Sequence, residues 1–324
     1  MTVLPLVVLV HDGPLARAYL ATMRRAGLMA EAVLIMVESR HPHKKKPMGG
    51  WLPRRSRMWY AERVQERAQH YWPRRIQAKH SNLVRSMADE MSKICDEPLA
   101  LYREMLGRFD YEAYAQRTQR VFVRGIGDPA LASELRRLSP QIVLYTGGGR
   151  VPPNVLEIPR IGFLHVHPGH LPDVRGADGL LWSVLFRGRP SMSCFYMSPE
   201  IDVGDVIATS EYPALRFDIS RHRRPDDQTL YRALFSFCDP VLRAVTLVEK
   251  VLRCRKDLCG LPAEPQAPEQ GDTYYFMHPT LRRRVLDQLF YSNGDPGRTG
   301  ADDQPHAGVG MRSADNASLS DVPA

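Results

Sequence analysis

The stretch LVVLVHDGPLARAYLATMRRAGLMAEAVLIM (residues 6–36) decides the fold class. Leu6 to Val10 is an unbroken apolar run, the pattern of a strand covered on both faces. Ala16 to Arg25 follows as an amphipathic helix with Leu20 and Met23 on one side, and Glu31 to Met36 supplies a second short apolar strand. Strand, helix and strand in this order predict a β-α-β unit opening a parallel sheet. The leading MTVLPLVVLV has no basic n-region, and His11-Asp12-Gly13-Pro14 follows it instead of a small-residue cleavage site, so it reads as a strand and not as an export signal. No run approaches the ~18 apolar residues of a membrane span. A cytoplasmic protein without membrane contact is expected.

Alternation of short strands and helices resumes further along the chain. Arg120 to Val123, Gln141 to Tyr145, Gly162 to His167, Met192 to Met197 and Val206 to Tyr212 read as strands, and Pro129 to Leu138 as a helix with proline near its start. Thr229 to Leu252 is helical, with a break expected near Pro240. Residues 40–110 lack strand signals and read as a helical insertion. After residue 255 a short extension runs to 291, and residues 292–324, poor in apolar side chains, are expected to be disordered.

The 324 residues include 44% hydrophobic and 25% charged side chains, as in ordinary globular proteins, with a net charge of +8. Most of the positive excess lies between Arg40 and Arg85, where only Glu62 and Glu66 oppose it. Trp51, Trp59, Tyr60, Tyr71 and Trp72 stand among these basic residues. Such a segment suits RNA or a phosphorylated substrate, but a charged helical face with the aromatics packed underneath is the commoner arrangement and the one expected. The cysteines Cys95, Cys194, Cys238, Cys254 and Cys259 are scattered without CxxC pairs, which fits free thiols.

The chemistry concentrates in HVHPGHLPDVRG (residues 165–176). Residues two apart on a strand share a face, so His165 and His167 project together at the carboxyl end of their strand, where open α/β sheets bind ligands. Three readings stand. The pair can satisfy loop carbonyls; it can ligate zinc or iron with His170 or Asp202 as a third ligand; or it can carry acid/base and oxyanion chemistry with Asp202, which IDVGDVI (residues 201–207) places in a turn between two strands. The glycine-rich TGGGR (residues 146–150) lacks the P-loop lysine and the dinucleotide-binding spacing.

GFLHVHPGHLPDVRGADG (residues 162–179) resembles the signature of the folate-dependent formyltransferases, roughly Asn-x-His-Pro-Ser-x-x-Pro followed by Arg-Gly, and IDVGDVI resembles their Asp-x-Gly motif. The resemblance runs from about Val3 to Phe290, interrupted by the basic insertion. It implies a Rossmann-like α/β formyltransferase fold with a mostly parallel central sheet, a catalytic domain over residues 1–255 and 10-formyltetrahydrofolate as formyl donor. His167 and Asp202 take the places of the family's catalytic histidine and aspartate. His165 stands where the family has asparagine, Gly169 where it usually has serine, and Phe195 near a histidine of many members. The resemblance further implies that His167 and His165 stabilise the oxyanion of a tetrahedral intermediate while Asp202 assists proton transfer, without metal. It implies a folate pocket formed by Gly149, Arg150, Val151 and Leu156 together with Pro199, Glu200 and Ile201. The chain after about residue 260 is short for the C-terminal domain of the tRNA-specific members, so a small-molecule or carrier-bound amine is the expected partner ahead of nucleic acid. A metal-dependent hydrolase or deformylase, and a catalytically weak folate- or nucleic-acid-binding relative, are the alternatives.

Overall fold

The computed structural model describes residues 1–42, 44–220, 224–254, 258, 260–267 and 269–291. The expected disordered tail at 292–324 and Cys259 lie outside the described residues. β1 (Thr2–Val10), α1 (Pro14–Arg25) and β2 (Leu28–Glu38) form the opening β-α-β unit. β3 (Ala115–Val123), β4 (Ile142–Tyr145), β5 (Gly162–His167), β7 (Ser191–Tyr196) and β8 (Val206–Glu211) complete a seven-stranded sheet in the order β3-β2-β1-β4-β5-β7-β8. The first five strands run parallel, whereas β7 and β8 are antiparallel to their neighbours. Strand order reverses between β1 and β4, and the carboxyl edge at such a reversal is where doubly wound sheets take ligands.

Both faces of the sheet are covered, which explains the unbroken apolar run in β1. Leu6, Val8 and Val10 pack into one core with α1, whereas Val7 and Leu9 enter a second core with Leu131 and Leu135 of α6 (Pro129–Leu138). Between β2 and β3 the chain forms α2 (Arg54–Gln69), α3 (Tyr71–Lys79), α4 (Ser81–Met91) and α5 (Pro98–Leu106). These helices are pinned to the sheet by buried polar contacts. Gln65 of α2 donates to Met36 O and accepts from Glu38 N. Asp12, just past β1, accepts from Arg17 Nε at 3.0 Å and Tyr111 Oη at 2.6 Å, with His70 Nε2 at 3.3 Å. Burial alone would raise the Asp12 pKa, but the His70 contact and the Arg17 charge outweigh it and hold the carboxyl well below its usual range.

Of the aromatics of this segment, Trp72 is half-buried against the core, whereas the others are not packed underneath it. Trp51 is 83% exposed and Trp59 59% exposed, and Tyr60 and Tyr71 also face solvent. α2 buries only Ala61 and Gln65, so it offers the core too narrow a stripe to cover them. The interruption expected near Pro240 takes the form of a change of helix type. α9 (Asp227–Ala233) runs through a π-helical turn, Leu234–Cys238, into α10 (Asp239–Thr246), so the α-helical ladder is interrupted just before Pro240 while the chain stays helical.

α7 (Pro153–Leu156) precedes β5; β6 (Val174–Gly176) and α8 (Gly179–Arg187) follow it, and β9 (Phe217–Asp218) follows β8. The C-terminal β10 (Asp272–Tyr274) pairs in parallel with β6, and α11 (Pro279–Leu289) leads into β11 (Phe290–Tyr291), which pairs with β9. Among the described residues no helix is long and apolar enough to cross a membrane.

Candidate active site

β5 is a central strand whose side chains alternate between the two cores. Leu164 and Val166 enter one and Phe163 the other. His165 and His167 share the alternate set with Phe163 and reach the carboxyl edge, buried to 8% and 2% exposure. Asp202 arrives from the turn between β7 and β8 with a left-handed backbone, φ 57°. Its Oδ2 lies 3.2 Å from His167 Nδ1 and accepts from Gly176 N at 2.8 Å. The turn is held from behind. Gln266 Nε2 donates to Asp202 O and Gly204 O, and Arg175 Nε donates to Gln266 Oε1. Gly204 is required there, because a Cβ would lie 1.8 Å from Tyr196 O.

His167 Nε2 lies 2.9 Å from Val174 O. A Cβ on Gly169 would stand 2.7 Å from that nitrogen and one on Gly179 2.9 Å, so two glycines form the slot that admits the ring. The departure from the family's serine at position 169 thus has a steric reason in this packing. Ser193 Oγ, fully buried, accepts from Leu171 N and donates to Gly169 O, fixing the loop beside the ring. Burial is the largest influence on His167 and lowers its pKa; Asp202 opposes this, Arg243 adds to it, and the net is downward.

His165 Nδ1 lies 3.0 Å from Tyr145 O. A carbonyl only accepts, so Nδ1 carries the proton. Burial, reinforced by the Arg243 charge, pushes the ring's pKa down to about 4, and the neutral ring therefore presents Nε2 as an acceptor. This differs from the oxyanion-donor role expected of His165 from the family's asparagine. A neutral imidazole has one N–H, and here Tyr145 takes it.

Arg243 of α10 donates to Val166 O, the carbonyl between the two histidines, at 3.1 Å, and pairs with buried Asp239 at 3.0 Å. Sequence reasoning missed this pair. Its i,i+4 spacing inside an apolar helix was the available signal. Gln266 and the carbonyl of Val174 were missed as well, and no motif marks them.

The residues expected to line a folate pocket fall on the two loops that flank β5. Gly149 and Arg150 are exposed on the loop after β4, whereas Val151 and Leu156 bury their side chains in the second core. Pro199, Glu200 and Ile201 are exposed on the turn after β7. His170 does not join the pair. It faces Asp173 at 3.4 Å and Glu211 at 3.9 Å, away from His165. Both ring nitrogens of His167 face oxygen acceptors, and among the described residues no three His, Cys, Asp or Glu side chains converge as a metal-ligand set.

No family model matches the chain. A segment of 91 residues, 28% of this chain, is 34% identical to 29% of the methionyl-tRNA formyltransferase of Syntrophus aciditrophicus. A longer segment of 152 residues, 46% of this chain, is 30% identical to 43% of the enzyme of the same name from Pelotomaculum thermopropionicum. Over these segments the chain is similar to the methionyl-tRNA formyltransferases. It spans less than half the length of these curated formyltransferases. A sugar N-formyltransferase of a Shewanella species superposes on 91% of this chain and 90% of its own, with a TM-score of 0.42 and 10% identity.

Proposed function

We propose that the chain transfers a formyl group from 10-formyltetrahydrofolate to an amine of a small-molecule or carrier-bound substrate. The observation that carries this reading is the Asp202–His167 pair, 3.2 Å apart at the carboxyl edge of the sheet with His165 beside it, on motifs shared with the formyltransferases. The loops on either side of β5 suit a flat donor. Gly148 and Gly149 have open space where a Cβ would stand, so a ligand can approach their backbone closely, and apolar Ile201 is 39% exposed.

The bound donor supplies an electrophilic formyl carbon. His167, oriented by Asp202 and by its glycine slot, places the positive charge of its imidazolium form beside the negative charge that develops on the formyl oxygen. His165, protonated on Nδ1, takes on Nε2 the proton leaving the amine and returns it to the folate nitrogen as the tetrahedral intermediate breaks its bond to that nitrogen and releases tetrahydrofolate. Asp202 holds His167 and stabilises the imidazolium form. Holding donor and amine together in the site supplies much of the remaining acceleration.

The test is release of tetrahydrofolate from 10-formyltetrahydrofolate by purified protein, with and without a panel of amines that includes amino sugars and amino acids. Release dependent on one amine, falling at least ~100-fold in His167→Ala and Asp202→Asn while folate binding persists, is the expected result. Near-normal turnover in both variants removes the assignment.

A further inference from the structure

A cleft of about 650 Å³ lies away from the folate-side loops, between the helices inserted after β2 and the α9–α10 run. Its volume is that of a pocket for a molecule of drug or nucleotide size. Pro14 and His41, just past the carboxyl ends of β1 and β2, line its sheet side. Arg67 and Trp72 line it from α2 and α3, and Arg232 and Phe235 from the α9–α10 run.

The charge of this cleft is uncompensated. No carboxylate is among its lining residues. Glu66, the acid closest in sequence to Arg67, is taken by Arg17 at 3.3 Å and Arg74 at 2.8 Å. Among the described residues the Arg67 guanidinium has no hydrogen bond or ion pair, and Arg232 has no carboxylate partner, its guanidinium lying 5.7 Å from the Trp72 ring centre. Two guanidinium groups in one concavity focus positive potential there. Guanidinium groups match phosphate oxygens in a bidentate manner, and aromatic rings such as Trp72 and Tyr71 stack on flat rings.

The cleft is tied to the histidine pair through a single helical run. Arg232, Phe235 and Ser236 line the cleft, and Arg243, further along the same run, donates to Val166 O between His165 and His167. We propose that this cleft is the acceptor-recognition site, binding a phosphate-bearing, ring-containing part of the substrate remote from its reactive amine. The word acceptor rests on the transferase reading; the ligand chemistry rests on the cleft alone. The helices inserted after β2 thereby acquire a role, since they supply Arg67, Tyr71 and Trp72.

Calorimetric titration with ADP, inorganic pyrophosphate and adenosine tests the inference, with 10-formyltetrahydrofolate titrated into the same samples. ADP is expected to bind at least ~10-fold more tightly than pyrophosphate or adenosine, because each lacks one half of the recognition. The Arg67→Ala/Arg232→Ala double variant and Trp72→Leu are each expected to weaken ADP at least ~10-fold and to leave folate affinity unchanged. Folate binding without ADP binding, or ADP binding indifferent to these variants, overturns the inference and leaves the transferase reading standing. Variant-sensitive ADP binding without any folate binding upholds the ligand site and removes the transferase reading.

Discussion

Replacing His165 by asparagine, the residue the related enzymes carry there, is expected to change how stability depends on pH. The His165 ring is buried, lies near the Arg243 charge, and has its pKa lowered from 6.5 to about 4. At about 1.4 kcal/mol per pH unit, this drop amounts to about 3 kcal/mol against the charged ring in the folded protein. Between these two pKa values the unfolded chain holds a proton at this position and the folded one does not, so stability rises with pH. The contribution is complete above pH 6.5 and is lost as pH falls towards 4. His165→Asn removes this loss and keeps a donor for Tyr145 O. Guanidinium unfolding of both proteins at pH 7, 5.5 and 4.5 reads the difference. The wild type is expected to lose about 2 kcal/mol more than the variant across that range. His167 and His70, whose pKa values are also lowered, contribute the same sign in both proteins and cancel to first order. Curves that fall in parallel, within ~0.5 kcal/mol, refute a buried neutral His165.

Two further substitutions probe the frame around the site. Arg17→Ala leaves the Asp12 carboxylate, 9% exposed, without its cation, and is expected to cost about 3–5 kcal/mol in urea unfolding at pH 7. Because the Asp12 carboxyl is held below its ordinary range, the stability it brings is present above about pH 4 and lost in acid, so the difference between wild type and variant should shrink there. Gly204→Ala drives a methyl group into the backbone carbonyl of Tyr196, which cannot rotate away. It is expected to cost at least ~1–3 kcal/mol by thermal unfolding and to lower turnover by displacing Asp202.

The sheet was legible because its strands announce themselves. Runs such as Leu6–Val10 and Ile142–Tyr145 are apolar on both faces only where helices cover both. The histidine pair and Asp202 were legible for a different reason, since their placement follows from strand period and a turn glycine. What escaped were contacts that depend on tertiary approach. Val174 reaches His167 through its backbone carbonyl, and Gln266 reaches the Asp202 turn from 64 residues away, so no side-chain pattern near the motif records either. The exposure of Trp51 and Trp59 escaped because composition does not say whether a helix has a surface to lie against. The chain stays helical through Pro240 because the backbone widens into a π-helical turn just before it, an adjustment that no residue type announces.

The two histidines, identical in sequence terms, are set to opposite tasks by the oxygens around them. His165 has one carbonyl partner, which takes the Nδ1 proton and leaves Nε2 an acceptor with burial and Arg243 keeping it unprotonated. His167 has two acceptors, Asp202 at one nitrogen and Val174 O at the other, while burial holds the ring below its ordinary pKa. A neutral ring carries a single proton and so leaves one of these two contacts without a hydrogen. Taking up a second proton satisfies both at once, and this offsets part of the desolvation cost of the charge. In the proposed transfer His167 therefore becomes cationic as negative charge appears beside it, and His165 stays neutral until a proton is delivered. This division follows from the backbone carbonyls at positions 145 and 174 together with the Asp202 carboxylate, so loss of that carboxylate leaves His167, like His165, with a single carbonyl partner.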